Sequence, residues 1–279
     1  MRPYCCCLAL GMAVFVHISA THAQLIVAHR GASHDAPENS LSAFRLAWEQ
    51  GADAIEADFF LSSDGHIVCL HDPDTERTAG VKHVVKDTPL EVLRQLDVGA
   101  WKGERFRGER MPTFDEVAAV VPPGKLFYIE LKIGPEIVAP LAQAIEASKL
   151  DPRNTVIISF NADTIAECER LMPDIETHLL FRYEKQPDGR WTPAAAEVVA
   201  RLKRSGADVF STKAEPAVVD AAFLKTVRDA GFGDFGVWTI DDPQAARAYR
   251  DLGAFAITTN RPGWLRERLN GAKVPAAAE

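Results

Sequence analysis

The chain has few cysteines, no excess of positive charge and no long apolar run beyond its N-terminal segment. After residue 23 the cysteines are Cys69 and Cys168, one in a strand pattern and one in a helix pattern. Two cysteines do not make a disulfide framework, so we expect free thiols. The formal net charge is −8 over 279 residues, which argues against nucleic acid or an anionic bilayer as the main partner.

The N-terminal segment has the layout of a secretory signal peptide. A short positive start precedes an apolar run at residues 5–20, and a small-residue cleavage site ends at Ala23. The run is shorter than the ~20 residues that span a bilayer, and no cysteine follows it to carry a lipid. We therefore expect removal of residues 1–23, no stable membrane anchor afterwards, and a periplasmic or secreted protein. An uncleaved anchor is the alternative.

The rest of the chain alternates short β-branched or aromatic runs with amphipathic runs of helix length. The strand candidates are LIVAH, DAIEAD, LFYIEL, NTVIISF, THLLF, DVFST, FGVWTI and FAITT. Regular alternation of strand and helix indicates a parallel sheet. Eight such strands in a chain of this size predict an α/β fold, a closed (β/α)8 barrel. A doubly wound open sheet is the alternative.

The domain prediction is one catalytic domain over residues 24–270, with a flexible tail at 271–279. A small insertion at the barrel mouth is expected at about residues 73–111, because this charged stretch fits no strand–helix repeat.

One further strand-like run, HIVCLHD, follows the second strand too closely for a crossover helix. It is predicted to form a β-hairpin arm at the barrel mouth, with Asp64-Gly65 as a two-residue turn. In that register Asp58 lies opposite His71, on the face that Glu56 shares.

Polar side chains follow the predicted strands at their C-terminal ends, where the active sites of such barrels lie. They are His29, Arg30, Glu56, Asp58, Glu130 and Lys132, and the hairpin adds His71. Three carboxylates without a sulfur ligand suit a hard divalent cation, Mg²⁺ or Ca²⁺, rather than zinc or copper. Two histidines beside that ion are a natural general acid and base. With two cations added, the set is typical of attack at a phosphodiester.

Each of these residues also has a purely structural interpretation. A histidine at a strand end is often only hydrogen-bonded, and an acidic pair on one strand is often a salt-bridged rim. Trp238, at the end of FGVWTI, is either a core aromatic or a wall of the substrate site. The combination is more specific than its members, because unrelated polar groups would not converge on one end of a barrel.

The motifs that carry these residues resemble those of the glycerophosphodiester phosphodiesterase family. The matching pieces are HRG (29–31), PEN (37–39), EAD (56–58), DG (64–65), HD (71–72), ELK (130–132) and VWTI (237–240). The likeness runs from about residue 25 to 265. Ser40 stands where the family usually has Thr. Asn260 stands where Asp is common, which removes a charge and puts the role of that acid in doubt.

The resemblance implies a TIM barrel of the phospholipase C-like phosphodiesterase type, with an inserted subdomain and one divalent cation, Ca²⁺ or Mg²⁺. The roles implied are metal ligation by Glu56, Asp58 and Glu130, acid–base catalysis by His29 and His71, and phosphate contact by Arg30 and Lys132, with Glu38 supporting the mouth and Trp238 lining the substrate side. The reaction would convert a small-molecule glycerophosphodiester into sn-glycerol 3-phosphate and an alcohol such as choline or ethanolamine. The sequence indicates neither an oligomeric state nor which histidine is the acid.

Two other functions compete with this one. A phospholipase D-like relative on a similar barrel would cleave lysophospholipid or sphingomyelin, but such relatives lack the HRG and PEN opening and usually keep a disulfide near the mouth. A catalytically silent binding protein for glycerophosphodiesters would be expected to have lost a histidine or a ligand carboxylate, and this chain retains all five.

Overall fold

The computed structural model describes residues 24–270. The predicted signal peptide at residues 1–23 and the predicted tail at 271–279 lie outside the described residues. Among residues 24–270, no helix combines the length and apolar character that crossing a membrane requires.

A closed barrel of parallel strands forms the centre of the molecule. The strands of residues 24–270 are β1 (Leu25–Ala28), β2 (Ala54–Leu61), β3 (Ile67–Cys69), β4 (Leu126–Leu131), β5 (Thr155–Ser159), β6 (Glu176–Phe181), β7 (Glu184–Lys185), β8 (Trp191–Thr192), β9 (Val209–Lys213), β10 (Phe235–Trp238) and β11 (Ala256–Thr259). Eight of them are parallel in the order β1-β2-β4-β5-β6-β9-β10-β11, and β11 pairs with β1 to close the ring. The predicted (β/α)8 barrel is therefore confirmed, and an open sheet is excluded.

Helices surround the barrel and occupy its connections. They are α1 (Leu41–Glu49), α2 (Glu76–Ala79), α3 (Leu90–Leu93), α4 (Phe114–Ala118), α5 (Val138–Ala147), α6 (Ala162–Leu171), α7 (Ala195–Ser205), α8 (Ala221–Asp229), α9 (Pro243–Asp251) and α10 (Pro262–Asn270). Several begin at a side chain that accepts a hydrogen bond from the first turn, as Asn161 does for α6 and Asp220 for α8. Such caps satisfy backbone N–H groups that a helix start leaves unpaired.

Strand alternation separates the apolar core from the polar interior of the mouth. On β2 and β4, Phe59 and Phe127 point outward and pack with Phe114 of α4, their ring centroids 5.6–6.1 Å apart. The intervening side chains, Glu56 and Glu130 among them, point into the barrel because successive residues of a strand face opposite sides. The same alternation that buries the aromatic residues therefore directs the acids inward.

The hairpin of β2 and β3 forms, but one residue away from the predicted register. Phe59 lies opposite Cys69, and Phe60 lies opposite Val68. The prediction that Asp58 lies opposite His71 is therefore wrong. Leu70 N–H instead donates to Asp58 O at 3.1 Å.

The two-residue turn is also wrong, since the loop contains three residues, 63–65. Its cause is Ser62, whose hydroxyl accepts from His66 N–H at 2.9 Å and donates to Asp64 at 2.6 Å. Because this side chain satisfies the His66 amide, the ladder closes at Ser62 rather than at the next residue. Ser62 N–H also donates to His66 O at 2.9 Å.

Residues 74–113 pack against the β2–β3 hairpin and against the loop between β1 and α1. They contain α2, α3 and two single 3-10 turns, Val85–Asp87 and Glu104–Phe106. Val85, Leu93 and Met111 are fully buried in a cluster of their own, which also takes in apolar residues of the hairpin. The short β7–β8 hairpin after β6 was not predicted from the sequence, since each of its strands has two residues.

Candidate active site

The HRG and PEN motifs form one folded loop between β1 and α1. Arg30 and Asn39 both adopt left-handed backbone conformations, with φ of 55° and 56°. Arg30 N–H donates to Glu56 Oε2 at 2.8 Å, and Asn39 Nδ2 donates to Asp58 Oδ2 at 2.7 Å. Gly31 has φ +79°, and an added Cβ would lie 2.6 Å from the backbone of α1. The loop therefore requires glycine there, and it fixes two carboxylates of β2.

Three buried carboxylates meet inside the barrel mouth. Glu56, Asp58 and Glu130 each offer an oxygen within 4.8 Å of the others. They are only 2%, 1% and 8% exposed. Burial raises the pKa of Glu56 well above its ordinary value, and burial with the Asp58 charge raises that of Glu130 to about 7. Burial also opposes ionisation of Asp58, but Lys132 and Arg30 outweigh it and lower its pKa to about 2.

Two cations contact this cluster. Lys132 Nζ lies 2.6 Å from Glu130 Oε1 and 3.1 Å from Asp58 Oδ1. Arg30 Nε lies 3.1 Å from Asp58 Oδ2, and its Nη1 donates to Glu38 Oε1 at 2.9 Å. Both cations are therefore placed beside the carboxylates, as the sequence predicted, and an anion bound there would contact them.

The carboxylate cluster fits a divalent cation. Within residues 24–270, Glu56 Oε1 is buried and has no hydrogen-bond partner. An unpaired buried carboxylate oxygen is costly, and a bound cation would remove that cost. Carboxylate oxygens without sulfur or imidazole are ligands that Ca²⁺ and Mg²⁺ prefer. Glu56, Asp58 and Glu130 could therefore hold such an ion.

His29 is held through Asn260 by a carboxylate that the sequence reasoning missed. Its Nδ1 lies 2.7 Å from Asn260 Oδ1, and Asn260 Nδ2 donates to Asp241 Oδ2 at 2.8 Å. A carboxylate only accepts hydrogen bonds, so the Asn260 NH₂ faces Asp241 and its oxygen faces His29. His29 therefore donates from Nδ1, which leaves Nε2 as an acceptor. Burial is the largest cause that lowers the pKa of His29 to about 4, so the ring is neutral near pH 7.

Asp241 thus supplies the negative charge that Asn260 lacks. The signal in the sequence was its position directly after the strand pattern FGVWTI, where acids face a barrel mouth. We expect Asp241→Asn to lower kcat about tenfold or more, because Asn260 could then rotate its NH₂ toward His29 and reverse the tautomer. The matched control is Asp242→Asn. Asp242 caps α9 by accepting from Ala245 N–H at 2.8 Å, and asparagine is an equally good cap.

The Asp241 prediction is checked by steady-state kinetics together with the thermal melting temperature of each variant. A loss of kcat in Asp241→Asn without a loss of stability is the expected result. Equal effects of the two substitutions on kcat would contradict the positioning role.

His71 reaches the site from the hairpin, although it has left the β-ladder. Its Nδ1 lies 2.7 Å from Asp72 Oδ1, and the other oxygen of Asp72 accepts from Arg77 Nε at 2.5 Å. Arg77 also donates to both oxygens of Glu38, at 2.7 and 3.0 Å. Glu38 in turn accepts from Arg30, so this network joins the hairpin and α2 to the opening loop. His71 is therefore positioned by ion pairs rather than by strand register.

One cavity collects seven of the nine residues predicted for the site, and Asp58 and Glu38 do not line it. It has a volume of about 480 Å³ and is lined by His29, Arg30, Glu56, His71, Glu130, Lys132 and Trp238, among others. Trp238 therefore forms part of the wall of this cavity. Glu38 does not line it and contacts it only through its hydrogen bond with Arg30. The lining also contains Phe160, Arg182 and Lys213, which were not predicted. A separate groove of about 690 Å³, near residues 122–125 and 147–151, shares none of these residues.

Several known proteins are similar in sequence to this chain. The profile of the glycerophosphoryl diester phosphodiesterase family matches residues 29–264. A glycerophosphodiester phosphodiesterase of Caldanaerobacter subterraneus subsp. tengcongensis is 39% identical over 163 residues, which are 57% of this chain and 67% of that protein. The putative glycerophosphodiester phosphodiesterase YhdW of Bacillus subtilis is 30% identical over 243 residues, which are 86% of this chain and 96% of the relative.

A solved structure shares the fold as well. It is that of a phosphodiesterase from Oleispira antarctica in complex with the product sn-glycerol-3-phosphate. The two structures superpose with a TM-score of 0.79 and 26% sequence identity, over 88% of this chain and 97% of that one. The chain belongs to the glycerophosphoryl diester phosphodiesterase family and is an enzyme of that class, a glycerophosphodiester phosphodiesterase.

Proposed function

We propose that the enzyme hydrolyses glycerophosphodiesters to sn-glycerol 3-phosphate and an alcohol, with one divalent cation, Ca²⁺ or Mg²⁺, and with His29 and His71 as the acid–base pair. The observation that carries this proposal is a cluster of three buried carboxylates, two of which, Glu56 and Glu130, line one cavity together with His29 and His71. The product agrees with the sn-glycerol-3-phosphate named in the complex of the Oleispira antarctica relative.

The charges around the carboxylates suit a phosphodiester. Glu56, Asp58 and Glu130 would hold the cation, which when bound would withdraw charge from the phosphoryl oxygens. Arg30 and Lys132, which contact Asp58 in the free protein, would bind the phosphate and orient it. Their positive charges stabilise the negative charge that builds on the phosphoryl oxygens during the displacement.

The hydrogen bonds of the two histidines favour different roles. His29 is neutral, and its Nδ1 donates to Asn260, so Nε2 can accept the proton of the attacking water. The pKa of His71 is lowered, chiefly by burial, and Asp58 and Asp72 offset only part of that effect. His71 Nδ1 lies 2.7 Å from Asp72 Oδ1, and this carboxylate would hold the ring in place for His71 to donate a proton to the leaving alcohol.

The function is tested by measuring glycerol 3-phosphate released from glycerophosphocholine and glycerophosphoglycerol. Purified enzyme is assayed after chelator treatment and again after Ca²⁺ or Mg²⁺ is restored. We expect product with the cation present and at least a 100-fold slower reaction without it, because the buried carboxylates then leave the phosphate without its counter-charge. The His29→Ala variant, purified in parallel, controls for contaminating phosphodiesterases.

The alternatives give different results in the same assay. Substrate that binds without any product, at every cation tested, would indicate a silent binding protein. Turnover of sphingomyelin or lysophospholipid without release of glycerol 3-phosphate would indicate the phospholipase D-like reaction.

We also propose export to the periplasm or the exterior, on the strength of the apolar run at residues 5–20. N-terminal sequencing of the protein made by expressing cells should begin at Gln24. A mature protein that retains residues 1–23 would contradict cleavage.

A further inference from the structure

The half of the cavity that lies away from the carboxylates is lined by four strand-end residues on adjacent strands. Phe160 follows β5, Arg182 follows β6, and Lys213 and Trp238 end β9 and β10. Lys213 lies directly opposite Trp238 in the parallel register, and Phe181 lies opposite Thr212 one residue before. Arg182, Lys213 and Trp238 are therefore level with one another at the mouth, and Phe160 contacts Trp238 from β5.

The two cations among these four residues have no counter-ion of their own. Arg182 and Lys213 are exposed, and neither takes part in the ion pairs of residues 24–270. The acids of the cavity lining are Glu56 and Glu130, which belong to the carboxylate cluster on the opposite side. Cations without a counter-ion at the wall of a cleft attract anions into it.

Aromatic packing holds one of these cations at the cavity edge. The Arg182 guanidinium lies 5.4 Å from the centroid of the Phe160 ring. That ring, 41% exposed, packs edge-on against Trp238 with 5.4 Å between centroids. A guanidinium over an aromatic face is stabilised without losing its hydrogen-bond donors. Arg182 therefore keeps its N–H groups available to a ligand.

We infer that Phe160, Arg182, Lys213 and Trp238 form a subsite for a negatively charged head group. This inference rests on the proposed function, because the scissile phosphate would occupy the carboxylate side of the same cavity. The substrate class is a glycerophosphodiester whose alcohol carries a further phosphate or carboxylate. Choline or ethanolamine, the alcohols implied by the family resemblance, would meet two cations here and no free acid.

The preference is tested with three substrates that differ in the charge of the alcohol. They are glycerophosphocholine, glycerophosphoinositol and glycerophosphoinositol 4-phosphate, assayed with Ca²⁺ or Mg²⁺ present. We expect kcat/KM for the 4-phosphate to exceed that for glycerophosphoinositol about fivefold or more at low salt. The advantage should shrink as salt screens the exposed charges. Equal kcat/KM for the two inositol substrates, or a preference for choline, would overturn the subsite.

Substitutions of Arg182 and Lys213 test whether these two residues cause the preference for the phosphorylated inositol substrate. Arg182→Gln and Lys213→Gln should each reduce the ratio of the two inositol substrates by about two- to fivefold, and together bring it close to one. The matched control is Lys203→Gln, which removes the same charge from an exposed position on α7 that lines none of the cavities described. A ratio that falls equally in the control would assign the effect to net charge and overturn the subsite.

A binding measurement separates this inference from the proposed function. Calorimetric titration of His29→Ala with the two inositol substrates should give about fivefold or more tighter binding of the 4-phosphate, without turnover. Charge-dependent binding with no hydrolysis by the unmodified enzyme would defeat the proposed function and leave the subsite intact. Hydrolysis of both substrates without any charge preference would overturn the subsite and leave the proposed function intact.

Discussion

Replacing His29 with alanine is expected to lower kcat by about 10²- to 10⁴-fold while leaving the fold intact. The reason is geometric. His29 Nδ1 lies 2.7 Å from Asn260 Oδ1, so in the proposed reaction the lone pair of the other nitrogen would accept the proton of the attacking water. Alanine removes that acceptor and retains the barrel, since the His29 side chain lies at the mouth and not in the apolar core. Steady-state kinetics with circular dichroism on both proteins make the measurement.

The same loop offers a control for this substitution. His34 is exposed and lies 2.7 Å from Asp35, outside the cavity, so His34→Ala should change kcat less than about twofold. His71→Ala should fall in the same range as His29→Ala, because the leaving alcohol would lose its proton donor. A His29→Ala enzyme that kept a tenth of the original kcat would remove this residue from catalysis.

Adding Ca²⁺ or Mg²⁺ at about one hundred times its Kd is expected to raise the melting temperature of the metal-free enzyme by about 5–10 °C. Binding at that ratio stabilises the folded state by about 2.7 kcal/mol, and each kcal/mol moves the melting temperature of a protein of this size by about 2–4 °C. The stabilisation would arise because a bound cation would neutralise buried carboxylates, one of which, Glu56, has an oxygen without a hydrogen-bond partner.

Substitutions separate this site from weak surface binding. Glu56→Gln should abolish most of the metal-induced rise, because one ligand charge is lost. Glu146→Gln, an exposed change on α5, should leave it unaltered. Differential scanning fluorimetry over a range of cation concentrations makes the measurement. An unchanged rise in Glu56→Gln would exclude Glu56 from the ligand set.

In the metal-free protein, the ionised buried acids should lower the free energy of unfolding, and this effect should depend on pH. Burial raises the pKa of Glu130 to about 7, so its ionised form destabilises the fold above that pH, and the penalty disappears as pH falls toward about 4.5. Glu130→Gln should therefore melt higher than the unmodified protein at pH 8, with a difference that shrinks toward pH 5. A melting-temperature difference that does not change with pH would contradict the destabilisation assigned to the ionised Glu130 carboxylate.

Strand composition was enough to predict the barrel. Runs such as NTVIISF and THLLF correspond to β5 and β6, because β-branched and aromatic residues bounded by helix-length segments leave few alternatives. The parallel direction of the strands followed from the helix-length segments between them, because parallel neighbours need a long crossover connection. The two-residue strands β7 and β8 carry no such pattern, and they form from local contacts that no periodicity reveals.

Site residues that lie on a barrel strand could be predicted from the sequence, because strand alternation sets the direction of their side chains. Glu56 and Glu130 sit on the inward face of adjacent strands, and alternation alone places them there. Asp241 and Arg182 follow predicted strands in the same manner, so the rule that found His29 also applied to them. Neither residue belongs to the motifs that carry the family resemblance, so the resemblance does not point to them.

The sequence by itself determined the barrel and the inward direction of the acids, since each depends on strand periodicity. Only the tertiary structure decided the hairpin register, the tautomer of His29 and the placement of His71. Those depend on side chains far apart along the chain, such as Asp241 with Asn260 and Arg77 with Glu38. Contacts of that kind are set by the closed fold, because no local pattern states which distant partner will satisfy a buried polar group.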